Sequence, residues 1–208
     1  VMLGVSLNEQ GLTGFNGDTS CRYYVKVPAF SFSKLHGMDS YLSPEMKSTG
    51  EAIGFDEKIH RAMYKAFLSA GIKLLNHGTV IVSLADEDKA EGIPLARRFY
   101  DMGFSIEATS LTAEYLKKAG IRTKVRKKLS EGSNEILDAI RSGNVSYVIN
   151  TRAVLSGVHY EDGEAIRNCA TENGITMFTS LDTVRVFLDV LEELTFTIEP
   201  IDSVRKAK

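Results

Sequence analysis

Cysteine and histidine are scarce in this chain of 208 residues, which has two of the first and four of the second. Cys21 and Cys169 sit far apart, without the pair spacing of a metal knuckle or a redox motif, and the histidines have no ligand spacing. Lone thiols of this kind are expected to be reduced, buried packing residues, which points to a cytoplasmic setting. No apolar run approaches the ~20 residues that a membrane helix needs. The opening stretch VMLGVSLNEQG lacks the basic start and apolar core of a signal peptide. It also begins mid-pattern without an initiator Met, so it reads as a cut from a longer chain. A net charge of −2 gives no global pull towards nucleic acid or an anionic membrane. Neither GxGxxG nor GxxxxGK[ST] occurs, so no dinucleotide or P-loop nucleotide is announced. No Ser-His-Asp or Cys-His arrangement can be assembled, and Asp86 and Asp88 read as helix-dipole partners before they read as general bases.

From about residue 79 onward the chain repeats one phrase: helix, glycine, strand. The glycines are Gly103, Gly120, Gly143 and Gly174. A glycine just past a helix end accepts the left-handed cap conformation at little steric cost. The helices carry apolar stripes at helical spacing: Leu95, Phe99 and Met102; Ile136, Leu137 and Ile140; Leu181, Val184, Leu188 and Leu191. The strands TVIVSLA, FSIEAT, VSYVIN and ITMFT are short and apolar, as parallel strands covered on both faces should be. Five strand-helix units between about 79 and 195 predict an α/β fold with a doubly wound, five-stranded parallel sheet in three layers, of Rossmann or flavodoxin type.

Residues 1–71 have a different rhythm. YYVKVPAFSF and STGEAIGF read as strands, and Asp56 is placed to cap a helix with the stripe Ile59, Met63 and Phe67. These elements are too few to bury a core alone. They are expected to be the α+β tail of a larger domain, packed partly on the α/β region and partly exposing an apolar face. Residues 72–78 form the connection.

In an open parallel sheet, ligands bind beyond the carboxyl ends of the strands, near the point where strand order reverses. The residues at those ends are Ser83, Thr109 to Thr112, Asn150 with Thr151, and Thr179 with Ser180. Thr109 also opens a helix, whose free backbone N–H groups favour an anion. The plain alternative is that each Ser or Thr is only an N-cap. A basic cluster from Lys117 to Lys128 surrounds the third strand. It reads either as a solvated edge or as the source of one lysine for an anion, and Lys89 is a second candidate for that role. Without interleaved aromatics it does not read as a nucleic-acid surface.

PEMKSTGE (44–51) is more specific. It resembles the signature late in the large subunit of carbamoyl-phosphate synthase, where the second ATP-grasp half ends. VMLGVSLNEQG, VINT (148–151) and FTSLDT (178–183) are similar to other parts of the same C-terminal region, in the same order and spacing. The resemblance implies that 1–71 is the end of an ATP-grasp domain and 72–208 a methylglyoxal-synthase-like (MGS-like) domain receiving effectors such as UMP and IMP. Family effector contacts carry over onto Ser83, Lys89, Thr109, Thr112, Lys128 and Asn150, with Lys128 meeting the effector phosphate. Arg152 stands where a family example has threonine, and its charge should strengthen phosphate binding or reshape base recognition. Glu45 and Thr179 match positions near an ornithine site, although Met177 and Phe178 replace polar neighbours.

The parent ligase would use ATP with Mg or Mn and a glutaminase small subunit to make carbamoyl phosphate for pyrimidine and arginine biosynthesis. This piece, holding no cofactor, is expected to regulate rather than catalyse, and oligomerisation through the MGS-like domain is a further expectation. Three other readings share the architecture. Methylglyoxal synthase expects a GDQQ-type stretch that is absent. An IMP cyclohydrolase-type domain expects an LHP stretch, and ATSLTA only faintly echoes its STGGTA turn. In a plain interaction module the rim residues would be caps alone.

Overall fold

The computed structural model describes residues 1–11, 22–30, 39–41, 44, 46–152 and 160–195. Two strands, β1 (Tyr23–Phe30) and β2 (Ser48–Asp56), precede helix α1 (Ile59–Ser69). The α/β region follows as β3 (Thr79–Ser83), α2 (Lys89–Asp101), β4 (Ser105–Thr109), α3 (Ser110–Lys118) and β5 (Thr123–Arg126). A single 3₁₀ turn (Leu129–Glu131) then leads to α4 (Glu135–Arg141), β6 (Val145–Asn150), α5 (Tyr160–Glu172), β7 (Thr176–Phe178) and α6 (Leu181–Thr195). No helix among the described residues is long and apolar enough to cross a membrane.

The five later strands form one parallel sheet in the order β5-β4-β3-β6-β7. The chain winds outward from β3 in one direction, then returns to place β6 on its other side. Strand order therefore reverses between β3 and β6, and a crevice opens there beyond the strand ends. Alternation within the strands separates two cores. Val80, Val82, Tyr147 and Ile149 face α2, α3 and α6, whereas Ile81 and Val148 face α4 and α5. The apolar stripes read from the sequence fall on these faces, and Phe99, Ile136, Ile140, Val184 and Leu188 are fully buried. Gly103, Gly120, Gly143 and Gly174 all have positive φ, between 64° and 93°, as helix-ending glycines should.

The N-terminal elements dock on the first core. β1 and β2 pair antiparallel, and their inner face lies on α1. The approach is close: a Cβ on Gly54 would lie 2.1 Å from the Ala62 carbonyl oxygen. Phe67 of α1 is buried against Phe187 of α6, ring centroids 6.0 Å apart, and Phe187 in turn meets Tyr147 at 5.0 Å. The opposite face of the pair leaves Tyr24, Ile53 and Phe55 exposed, as expected for this segment.

Residues 72–78 carry no regular element. They are pinned by Tyr147, whose hydroxyl donates to the Leu75 carbonyl (2.7 Å) and accepts the Leu75 N–H (2.5 Å). One expectation is corrected: Asp56 does not cap α1. It ends β2, accepts the Lys58 N–H at 3.1 Å and pairs with Lys65 at 2.7 Å, while Lys58 occupies the cap position without a side-chain bond. The turn into the helix is tight enough that the carboxylate reaches the backbone one step too early.

Candidate functional site

A cavity of about 650 Å³ lies beyond the carboxyl ends of β3, β4 and β6, at the reversal point of the sheet. Ser83, Lys89, Thr109, Thr112, Lys128, Asn150 and Arg152 all line it. Seven residues chosen from four separate stretches of sequence thus meet around one space. Thr179 lies apart from them, on an adjoining cavity of about 270 Å³ that it shares with Tyr41, Arg152 and several carboxylates. Glu45 is outside the described residues.

The buried threonines of the cavity are not caps. Thr109 precedes α3 in an extended conformation, yet its side chain makes no capping bond to the helix. Its Oγ1 instead donates to Thr112 Oγ1 (3.2 Å), which also accepts the Leu84 N–H (3.2 Å). Both threonines are buried, at 1% and 2% exposure. The first-turn N–H groups of α3 therefore receive no bond from the Thr109 side chain, and no acidic residue occupies that turn. This end of α3 retains the partial positive charge that an anion prefers. Thr151 Oγ1 accepts the Ala85 N–H at 2.9 Å and joins the ends of β3 and β6.

Positive charge enters from both sides. Lys89 has a buried side chain that stacks over the Tyr115 ring at 4.5 Å, with Nζ 2.5 Å from the exposed Asp86 carboxylate. A buried ammonium requires a counter-charge, and one resting on a solvated carboxylate can exchange it for a ligand anion. The basic cluster divides. Arg126 makes two bonds to the nearly buried Glu107 (2.6 and 3.1 Å), which hold its guanidinium above the ordinary range, and Lys124 pairs with the same carboxylate at 3.7 Å. Of the seven basic residues from Lys117 to Lys128, only Lys128 reaches the cavity.

Lys128 owes its position to the 3₁₀ turn that follows it. Asp162, at the start of α5, accepts the Ser130 N–H (3.0 Å) and O–H (2.5 Å), and Ser110 Oγ donates to Glu131 (3.1 Å). The sequence reading did not find Asp162 or Arg167, which also line the cavity. Arg167 is 1% exposed, and its Nη1 donates to Asn150 Oδ1 at 2.9 Å. A buried arginine on an amphipathic helix looks like a surface arginine in sequence. The one available signal was Gly163, four residues earlier, which leaves the space that the guanidinium crosses: a Cβ there would lie 2.9 Å from Arg167 Nη1.

Cys169 is buried, as expected, and burial pushes its thiol up, away from nucleophilic use. Among the described residues no group of three or more His, Cys, Asp or Glu side chains is arranged to hold a metal ion.

Comparison with known proteins bears on the fold. The profile of the family described as "MGS-like domain" matches residues 91–179, from within α2 to just past β7. Among solved structures, the crystal structure of ForH is similar at 19% identity with a TM-score of 0.43, over 56% of this chain and 80% of that one. The matched residues 91–179 hold four of the five strands of the parallel sheet, so this part of the chain is similar to an MGS-like domain.

Proposed function

We propose that this chain is the C-terminal regulatory region of a glutamine-dependent carbamoyl-phosphate synthase large subunit. In this reading residues 72–208 are the effector-binding domain and residues 1–71 the end of the second ATP-grasp domain. The cavity takes a nucleoside monophosphate of UMP or IMP type. MGS-like domains include both enzymes and regulatory domains, and two features support the regulatory reading here. Two of the three carboxylates at the cavity are engaged, Asp86 by Lys89 and Asp162 by Ser130. The PEMKSTGE motif of the resemblance also stands immediately before the α/β region.

The observation that carries the proposal is the meeting of Lys128, Lys89, the start of α3 and a set of hydroxyl and amide groups around one cavity of nucleotide size. The phosphate would lie between Lys128 and the first turn of α3, with Thr112 and Ser83 as neutral donors and Thr109 holding the Thr112 hydroxyl in place. Asn150 and Arg152 would meet the remainder of the ligand. Binding would bias the synthase between states by differential affinity, typically 1–3 kcal/mol of coupling. The parent enzyme would supply ATP with Mg or Mn, the rest of the large subunit and the glutaminase subunit, in the cytoplasm. Ornithine would enter, if this enzyme senses it, beside Thr179.

The test is calorimetric titration of the full chain with UMP, IMP, ornithine and inorganic phosphate. Saturable nucleotide binding is expected, weakened about 10- to 100-fold by Lys128→Ala, the range for one charge-assisted bond. Thr109→Ala should weaken it less. A folded chain that binds neither nucleotide would overturn the assignment of this cavity.

A further inference from the structure

Arg167 joins the cavity to a distant part of the chain. Its Nη1 donates to Asn150 Oδ1, while its Nε and Nη2 fork onto Asp39 Oδ1 and Oδ2, both at 2.7 Å. An arginine side chain carries only donors, so the Asn150 atom it touches must be the carbonyl oxygen. The Asn150 amide nitrogen, with no bond of its own among the described residues, is left for the cavity that Asn150 lines. Asp39 in turn accepts the Tyr41 N–H (3.0 Å), and the Tyr41 ring lies against the guanidiniums of Arg167 (5.6 Å) and Arg152 (5.0 Å). Lys47, inside the PEMKSTGE motif, donates to the carbonyls of Asp39 (3.0 Å) and Tyr41 (2.7 Å), one residue before β2 begins. Cavity, Arg167, residues 39–41, Lys47 and β2 thus form one continuous hydrogen-bonded path.

We infer that Arg167 is a positioning residue that couples occupancy of the cavity to the seating of residues 39–41, through the bonds it shares between Asn150 and Asp39. Three consequences separate it from a residue that merely packs. Because Arg167 holds Oδ1, Asn150 offers a donor, so the ligand group it meets is an acceptor. Asp39, which does not line the cavity, affects ligand affinity. Asn150, which makes no hydrogen bond to residues 39–41, affects how firmly they are held. The coupling to ligand rests on the effector reading above, whereas the coupling between Asn150 and Asp39 is a property of the free protein.

The experiment uses the full chain with and without UMP, reading hydrogen exchange at the Tyr41 amide, with calorimetry in parallel. In the free chain, Asp39→Asn and Asn150→Ala should both speed Tyr41 exchange. Asn150→Asp should not, because its carboxylate still accepts from Arg167. With UMP, Tyr41 exchange should slow in the wild type. Asp39→Asn should weaken UMP binding about 5-fold or more, the lower end of typical coupling. Asn150→Asp should weaken it too while leaving Tyr41 exchange as it was. Unchanged Tyr41 exchange in free Asn150→Ala would overturn the inference whatever the titrations show. Equal UMP affinity in wild type and Asp39→Asn would overturn it as well. Absence of UMP binding to the wild type, with the exchange pattern of the free variants as expected, would sink the effector reading and leave Arg167 as the link between Asn150 and residues 39–41.

Discussion

Replacing Thr112 by valine should cost far more stability than the same change at Thr109, although both are buried threonines in contact with each other. Valine keeps the branched shape and has nearly the helix propensity of threonine, so only the hydroxyl is lost. Thr112 Oγ1 accepts from both the Leu84 N–H and the Thr109 O–H. Removing it orphans a backbone donor on a residue only 8% exposed, at about 1–3 kcal/mol, and strips Thr109 of its partner for about 1 kcal/mol more. Removing the Thr109 hydroxyl takes away one bond and leaves Thr112 still holding Leu84, at about 1 kcal/mol.

At about 2–4 °C per kcal/mol for a chain of this size, Thr112→Val should lower Tm by roughly 4–16 °C and Thr109→Val by roughly 2–4 °C. The double variant should resemble Thr112→Val alone, because the bond between the two hydroxyls can be lost only once. Urea and thermal denaturation of the three variants check this. Equal costs for the two single changes, or strict additivity in the double, would refute the hydroxyl chain as the reason these threonines are buried here.

Two further outcomes follow from other bonds. Tyr147→Phe removes both bonds to Leu75 and should cost about 1–2 kcal/mol in a denaturation midpoint, less than two buried bonds would, because Leu75 is accessible to water. The same burial that shields Tyr147 pushes its phenol up to about 12, above the ~10 of an exposed tyrosine, so its contribution should be constant from neutral pH to about 9 and be lost as pH rises from about 10 to 12, and an alkaline loss already complete at pH 9 would contradict it. At Asp39 burial pushes the carboxyl up, but the Arg167 hydrogen bond, the Tyr41 N–H and the charges of Arg167 and Lys47 outweigh it and hold the group below the carboxylate range. A folded value below the unfolded one means that its stabilisation is present above about pH 3.9 and is lost as pH falls through the lower folded value. Asp39→Asn should therefore flatten the acid limb of stability between about pH 5 and 2, and parallel limbs would show that the pairing contributes nothing.

The sheet was legible because its signals are local. Each glycine follows its own helix, each stripe lies within one helix, and the ends of β3, β4 and β6 can be read off the hydroxyl or amide residue that closes each apolar run. The rim residues converge because topology alone brings those ends together. What sequence could not give was any partner chosen by a side chain reaching across the fold. Lys128 could not be told from Lys124 or Arg126 until Glu107 was seen to engage the other two, and until Asp162 was seen to fix the turn after Lys128. Arg167 was hidden for the same reason, since Asp39 is 128 residues away in the chain. At Asp56 a local signal misled, because a carboxylate three residues before a helix can serve the turn instead of the cap.

The docking of α1 has a consequence for how the chain is made. β1, β2 and α1 leave a ribosome before the α/β region and can pair with one another, but what covers Phe67 is Phe187, and what holds Asp39 is Arg167. At roughly 5–20 residues per second, about 6–22 s separate completion of α1 from the start of α6. For that interval the early segment waits with an apolar face open on the side that will later be buried, as well as on the side that stays exposed. A chain stopped short of α6 would never close it, so truncations from the C-terminal side should appear first as aggregation of the N-terminal elements, before any effect on the sheet itself.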